Sequence, residues 1–146
     1  MEQLYDCSPK VKASGFTELM HLVLNAKDPE CIQKIKSLLS KDKEQIHSRN
    51  SEGWTPLHLA CRNSKTKSSL EIVDVLINEG ADVNAVTNNL QTPLLMVCLN
   101  TETDSHEELI DILINNGANV NAKTKTGVTP FFCNELRQLW GLLRNC

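Results

Sequence analysis

The chain has 146 residues, 40% of them apolar and 4% aromatic, with a formal net charge of −3. This length suits one domain with a useful core, and the near-neutral balance argues against nucleic acid or an anionic membrane surface as the partner. No apolar run approaches the ~18 residues that span a bilayer, and residues 1–14 are polar with no secretory apolar stretch, so a cytoplasmic protein is expected, with the nucleus also open to it.

In chain order, residues 1–11 read as a polar tail. Helices are expected near 17–26, 30–40, 55–63, 68–79, 92–100, 105–116 and 134–144. The first pair falls in a degenerate unit, 12–49, whose second helix carries Ile32, Ile35, Leu38 and Leu39 on one face. The next pair falls in 50–86. There Thr55 can cap the first helix, Pro56 sits at the first helical position, and Leu70, Val73, Leu76 and Ile77 form one apolar stripe. Gly80 follows the second helix, where a left-handed residue closes it. The unit 87–123 repeats the plan with Leu109, Ile112 and Leu113. The last unit, 124–146, reaches its stripe of Leu136, Leu139, Leu142 and Leu143 eight residues early, which predicts a shortened capping unit.

Two markers keep one period. Thr55-Pro56, Thr92-Pro93 and Thr129-Pro130 are 37 residues apart, and so are Gly80-Ala81-Asp82-Val83-Asn84-Ala85 and Gly117-Ala118-Asn119-Val120-Asn121-Ala122. Self-similarity at a fixed period indicates stacked units, each burying its apolar face against the next.

These residues resemble the ankyrin repeat, whose pattern of Gly-x-Thr-Pro-Leu-His, two helices and Gly-Ala-Asp-x-Asn-Ala is matched across Asn50 to Ala85. The resemblance implies an all-α solenoid of four stacked helix pairs. The family's usual unit is about 33 residues, which places the additional residues between the helices of each unit, at 64–68 and 102–105. The Asn- and Lys-rich wording and these inserts resemble ankyrin proteins of large DNA viruses of protists. The family likeness implies a non-enzymatic module, an adaptor or competitive inhibitor, that binds a protein partner through a concave groove and turn tips. A virus-encoded mimic of host inhibitors of Rel-type transcription factors is an alternative, and an enzyme or metal protein on a repeat scaffold a remote one. A monomer is expected, with end-to-end association open to the terminal units.

The groove implied by the resemblance includes Ser51, Glu52, Trp54, Arg62 and Asn63 in one unit, and Asn88, Asn89, Gln91, Leu99 and Asn100 in the next. Trp54 stands out because its counterparts are Phe16, Gln91 and Val128, a variable slot among fixed neighbours. Trp and Arg dominate binding hot spots. Leu90 occupies a slot where the family has glycine, so either the turn changes or another residue absorbs the strain. Asn84, with Asp82 two before it and Leu76 eight before it, resembles the asparagines that a cytosolic dioxygenase hydroxylates in ankyrin proteins.

Nothing in the pattern supports catalysis. His58 shares a helix start with Thr55 but has no nucleophile–acid partner, and His21, His47 and His106 have no metal spacing. No cofactor motif occurs. Of the six cysteines, Cys61 and Cys98 hold equivalent positions on adjacent units. Packed helices stand about 8–10 Å apart, beyond the roughly 7 Å a disulfide allows, so both are expected to be buried thiols. Glu102, Asp104, Glu107, Glu108 and Asp111 make the unit 87–123 acidic, which favours encounter with a basic surface.

Overall fold

Each helix pair starts at a threonine whose hydroxyl takes up an otherwise unpaired N–H of the first turn. Thr17 accepts from the Met20 N–H at 3.3 Å, Thr55 from His58 at 3.4 Å and Thr92 from Leu95 at 3.3 Å. The proline that follows at 56 and 93 lacks only an N–H that no helix could use. In the computed structural model, residues 15–25, 29–62, 67–99 and 106–130 are described, with the backbone alone for 67–69, 99, 106 and 107.

The helices are α1 (Glu18–Leu24), α2 (Pro29–Lys41), α3 (Pro56–Arg62), α4 (Lys67–Asn78), α5 (Pro93–Leu99) and α6 (His106–Asn115), with a 3-10 helix at Lys43–His47. Within each pair the helices pack together: α1 on α2, α3 on α4, α5 on α6. Along the stack, α1, α3 and α5 form one row and α2, α4 and α6 a second. The fold is an all-α solenoid, as the resemblance implies, with three stacked helix pairs among the described residues. The expected helix at 134–144, with Trp140, lies outside them.

The inner row, α1–α3–α5, is the more deeply buried. Residues 56–61 of α3 are all buried, because this row is packed by its partner helix and by a neighbour along the stack. In the outer row one face is covered. Ile35, Leu39, Val73, Leu76, Leu109 and Leu113 are at most 2% exposed, while Glu71, Asp74, Glu108 and Asp111 face solvent. The expected stripe in α4 needs a correction. Ile72 is buried, whereas Leu70 and Ile77 are only half-buried. The helix contacts α3 on one side and both α2 and α6 along the stack, so its covered arc is broader than one ridge.

The outer helices α4 and α6 close alike. Ala81 N–H bonds to Leu76 O at 2.9 Å and Gly80 N–H to Ile77 O at 3.0 Å, with Gly80 at φ 102°. Ala118, Leu113, Gly117 and Ile114 repeat this pair of bonds. This is the glycine-ended closure that satisfies the last carbonyls.

The first unit has no such glycine and closes by other means. Its 3-10 helix buries Ile46, and the Gln45 side chain accepts from the Leu19 N–H at 3.0 Å. Ser48 donates to Gln45 O and its hydroxyl also meets the Thr17 hydroxyl at 3.2 Å. This turn was not legible in the spacing, because no glycine or repeated motif marks it.

Candidate functional site

Between successive pairs the chain makes a hairpin finger. In the finger 50–54, the Asn50 side-chain oxygen accepts from the N–H groups of Glu52 and Trp54, and Gly53 N–H bonds to Asn50 O. Thr87 plays the same part for Asn89 and Gln91, and Thr124 for Val128. Asn50, Thr87 and Thr124 thus repeat at the period of the stack, a ladder hidden in the sequence by the change from amide to hydroxyl. Both side chains are short and carry an oxygen that accepts from backbone N–H groups a few residues on, the amide oxygen standing one bond further out than the hydroxyl, and such locally bonded turns favour them.

The fingers are stitched to one another. Asn88 N–H donates to Glu52 O at 3.0 Å, its amide donates to Ser51 O at 3.1 Å, and Lys125 N–H donates to Asn89 O at 3.3 Å. Asn88 is therefore committed in part to the stack.

Close approach explains Gly53. It has φ 82°, and a Cβ there would lie 2.8 Å from Asn88 Oδ1 and 2.9 Å from Asn88 N. Neither outcome expected for the missing glycine at 90 occurs. Leu90 itself takes φ 59° and keeps the turn, with its N–H on Thr87 O at 2.9 Å.

Below the fingers, His58 ties two units together. Its Nδ1 accepts from the Thr55 N–H at 3.1 Å and meets the Thr55 hydroxyl at 2.8 Å, and its Nε2 lies 2.9 Å from Gln91 O. A carbonyl only accepts, so Nε2 carries the proton and Nδ1 presents the lone pair. Burial holds the imidazole below its ordinary pKa. Carbonyls of Gln91 and Ala85 and the Asp82 charge pull the other way, and the Arg49 charge adds to the lowering. With every ring atom buried and both nitrogens engaged, His58 is structural.

Trp54 is half-buried against the core cluster, its ring 6.4 Å from the His58 ring. The Arg62 guanidinium lies 5.0 Å from the Trp54 ring centroid, a cation–π arrangement. The structure thus brings Trp54 and Arg62 together from a finger and the end of α3. Ser51, Glu52, Arg62, Asn88 and Asn89 are exposed and Gln91 half-buried. Asn63, Asn100 and the side chain of Leu99 lie outside the described residues.

Asn84 is also part of the stitching. Its amide donates to Gly117 O at 3.0 Å and its Oδ1 accepts from the Asn119 N–H at 2.7 Å. Replacing Asn84 by alanine removes both inter-unit bonds at a solvent-exposed site and is expected to cost about 1–2 kcal/mol, read as a fall in the urea midpoint.

Cys61 and Cys98 are buried, 0% and 4% exposed, and form no disulfide. Burial pushes the Cys61 thiol far up, away from reactivity. Cys7, Cys133 and Cys146 lie outside the described residues.

A family profile described as ankyrin repeats (3 copies) matches residues 19–124. The chain belongs to the ankyrin repeat family. Among similar proteins, ankyrin repeat protein L289 of Acanthamoeba polyphaga mimivirus is 38% identical over 78 residues, 51% of this chain and 14% of that protein. Ankyrin repeat protein L122 of the same virus is 37% identical over 75 residues, 51% of this chain and 12% of the relative. Human protein phosphatase 1 regulatory subunit 27 is 35% identical over 79 residues, 54% of this chain and 46% of the relative. The viral likeness agrees with the wording of the sequence. The matched segments span a small part of the viral relatives. Ankyrin repeats indicate a protein–protein interaction module, and the family is typically non-enzymatic. Among the described residues no helix is long and apolar enough to cross a membrane.

Proposed function

We propose that this chain is a non-enzymatic, monomeric cytoplasmic adaptor or competitive inhibitor that binds a protein partner along the groove formed by its fingers and inner helices. The observation that carries the reading is the pairing of Trp54 with Arg62. Together they present a half-buried indole and an exposed guanidinium at a slot that the fold leaves open to Phe, Gln or Val. Ankyrin stacking supplies a preformed surface, so affinity can come from a few anchors with little ordering on binding. Ser51, Glu52, Asn63, Asn88, Asn89, Gln91, Leu99 and Asn100 complete the proposed surface.

Trp54→Ala is expected to weaken the cognate partner by about 2 kcal/mol or more, measured by calorimetry on a partner captured with the wild-type chain. The fold should persist, because sister units hold Gln91 and Val128 at this slot. Unchanged affinity would move the binding face elsewhere.

A narrower form of this reading is a virus-encoded mimic of a host ankyrin inhibitor of Rel-type transcription factors; the mimivirus relatives support its viral part. Binding to a Rel-type dimer, competed by a host inhibitor, tests it. Asn84 is proposed as a hydroxylation acceptor in the same cytoplasmic setting. An asparagine dioxygenase must first release the Gly117 and Asn119 bonds, and mass spectrometry after exposure to one should show an added oxygen at Asn84.

A further inference from the structure

We propose that the finger 86–91 is the grip of the binding surface, and that it fits an extended acidic segment carrying one large apolar side chain. This rests on the reading that the fingers face a protein partner.

The backbone singles out this finger. At the equivalent place Gly15, Gly53 and Gly127 have positive φ, where no side chain is strained, but here Leu90 stands at φ 59°. A leucine rarely adopts that region, and a bulky residue there is an outlier. The strain has no return in the core, because Leu90 is 45% exposed, and Val86 on the same finger is 36% exposed. Strained backbone held by its surroundings concentrates at binding and active sites. Leu90 and Val86 give this finger two exposed apolar side chains at slots where the flanking fingers have Gly53 and Gly127, and Arg49 and Lys123.

Charge defines the occupant. The Arg49 guanidinium donates to Val86 O, and Lys125 N–H donates to Asn89 O, so a cationic residue adjoins the apolar finger from each side of the stack. Fingers 49–54, 86–91 and 123–128 carry Arg49, Lys123 and Lys125 against Glu52 alone, on a chain whose net charge is −3. The opposite sign sits on the outer helices α4 and α6, where Glu71, Asp74, Glu108 and Asp111 are all exposed, whereas α2 in the same row carries Lys34, Lys36 and Lys41 against Glu30. An acidic segment is drawn to the fingers and turned away from α4 and α6, the outer helices behind the fingers 86–91 and 123–128.

Spacing sharpens this. Adjacent units stand about 8–10 Å apart, and an extended chain advances about 3.3–3.6 Å per residue. Acidic residues about two to three positions before and after the apolar one would then meet the flanking cations.

The test pans a random peptide library against the full chain and measures enriched peptides by fluorescence anisotropy. Peptides with carboxylates on both sides of a Leu, Phe, Ile or Met are expected. Leu90→Gly should weaken them by about tenfold or more while raising the thermal midpoint, since glycine relieves the strain. That combination separates lost contact from lost fold. Lys123→Gln with Lys125→Gln should lower affinity and flatten its salt dependence. A neutral or basic consensus, no enrichment, or equal binding by Leu90→Gly overturns the proposal. Peptides lost on Trp54→Ala but kept on Leu90→Gly would sink this inference and leave the Trp54 reading standing. Indifference to both would sink both.

Discussion

Replacing Gly53 by alanine is expected to lower stability by about 2–3 kcal/mol, combining a left-handed backbone of roughly 1–2 kcal/mol with displacement of the next finger. The displaced atoms belong to Asn88, whose backbone nitrogen and side-chain oxygen stand within 3 Å of the added Cβ. The backbone nitrogen cannot swing aside without breaking its bond to Glu52 O. Gly127 is the control. It has the same φ of 82° but nothing within 4 Å of its would-be Cβ, so Gly127→Ala should cost only about 1 kcal/mol. Leu90→Gly runs the other way. Relief of the left-handed leucine exceeds the added freedom of glycine in the unfolded chain, for a net gain of about 0.5–1 kcal/mol. Urea midpoints for the three variants should fall in that order. Equal losses at Gly53 and Gly127 would contradict close finger stacking.

His58→Ala should cost about 3–4 kcal/mol, from a cavity at a fully buried ring and a carbonyl left without its donor. His58→Leu should be milder, about 1–2 kcal/mol, because Leu95 fills the equivalent buried position in the next unit. The same ring makes stability depend on pH. Its folded pKa lies below the unfolded value of about 6.5, so between the two the unfolded chain binds more protons. The contribution of His58 is therefore fully present above about 6.5 and is lost as pH falls towards the folded pKa. Urea unfolding at neutral and mildly acid pH should show a loss on acidification that His58→Leu reduces. An identical acid loss in the variant would assign it to other groups.

Much of the fold was legible because its determinants are local and periodic. Thr-Pro pairs and Gly-Ala turns each fix one helix end, and the observed helices begin and end within a few residues of the expected limits. What was illegible depended on neighbours. Ile72 is covered because α4 is flanked along the stack, which no single-helix stripe reveals. The 3-10 helix at Lys43–His47 works through Gln45 and Ser48, residues that read as ordinary polar surface. At the site, Trp54 and Arg62 could be nominated by residue type, but their stacking depends on where α3 ends relative to the finger. Leu90 was visible as a missing glycine. That it would accept the strained conformation itself was not, since this depends on the Thr87 bonds that hold the turn.

The central claim is that fingers and inner helices form the partner surface. Amide hydrogen exchange on the chain, alone and saturated with its captured partner, tests it most directly. The account predicts added protection at residues 51–54, 88–91 and 124–128 and near the end of α3, with α4 and α6 unchanged. Protection concentrated in α4 and α6, with the fingers exchanging as in the unbound chain, would contradict it.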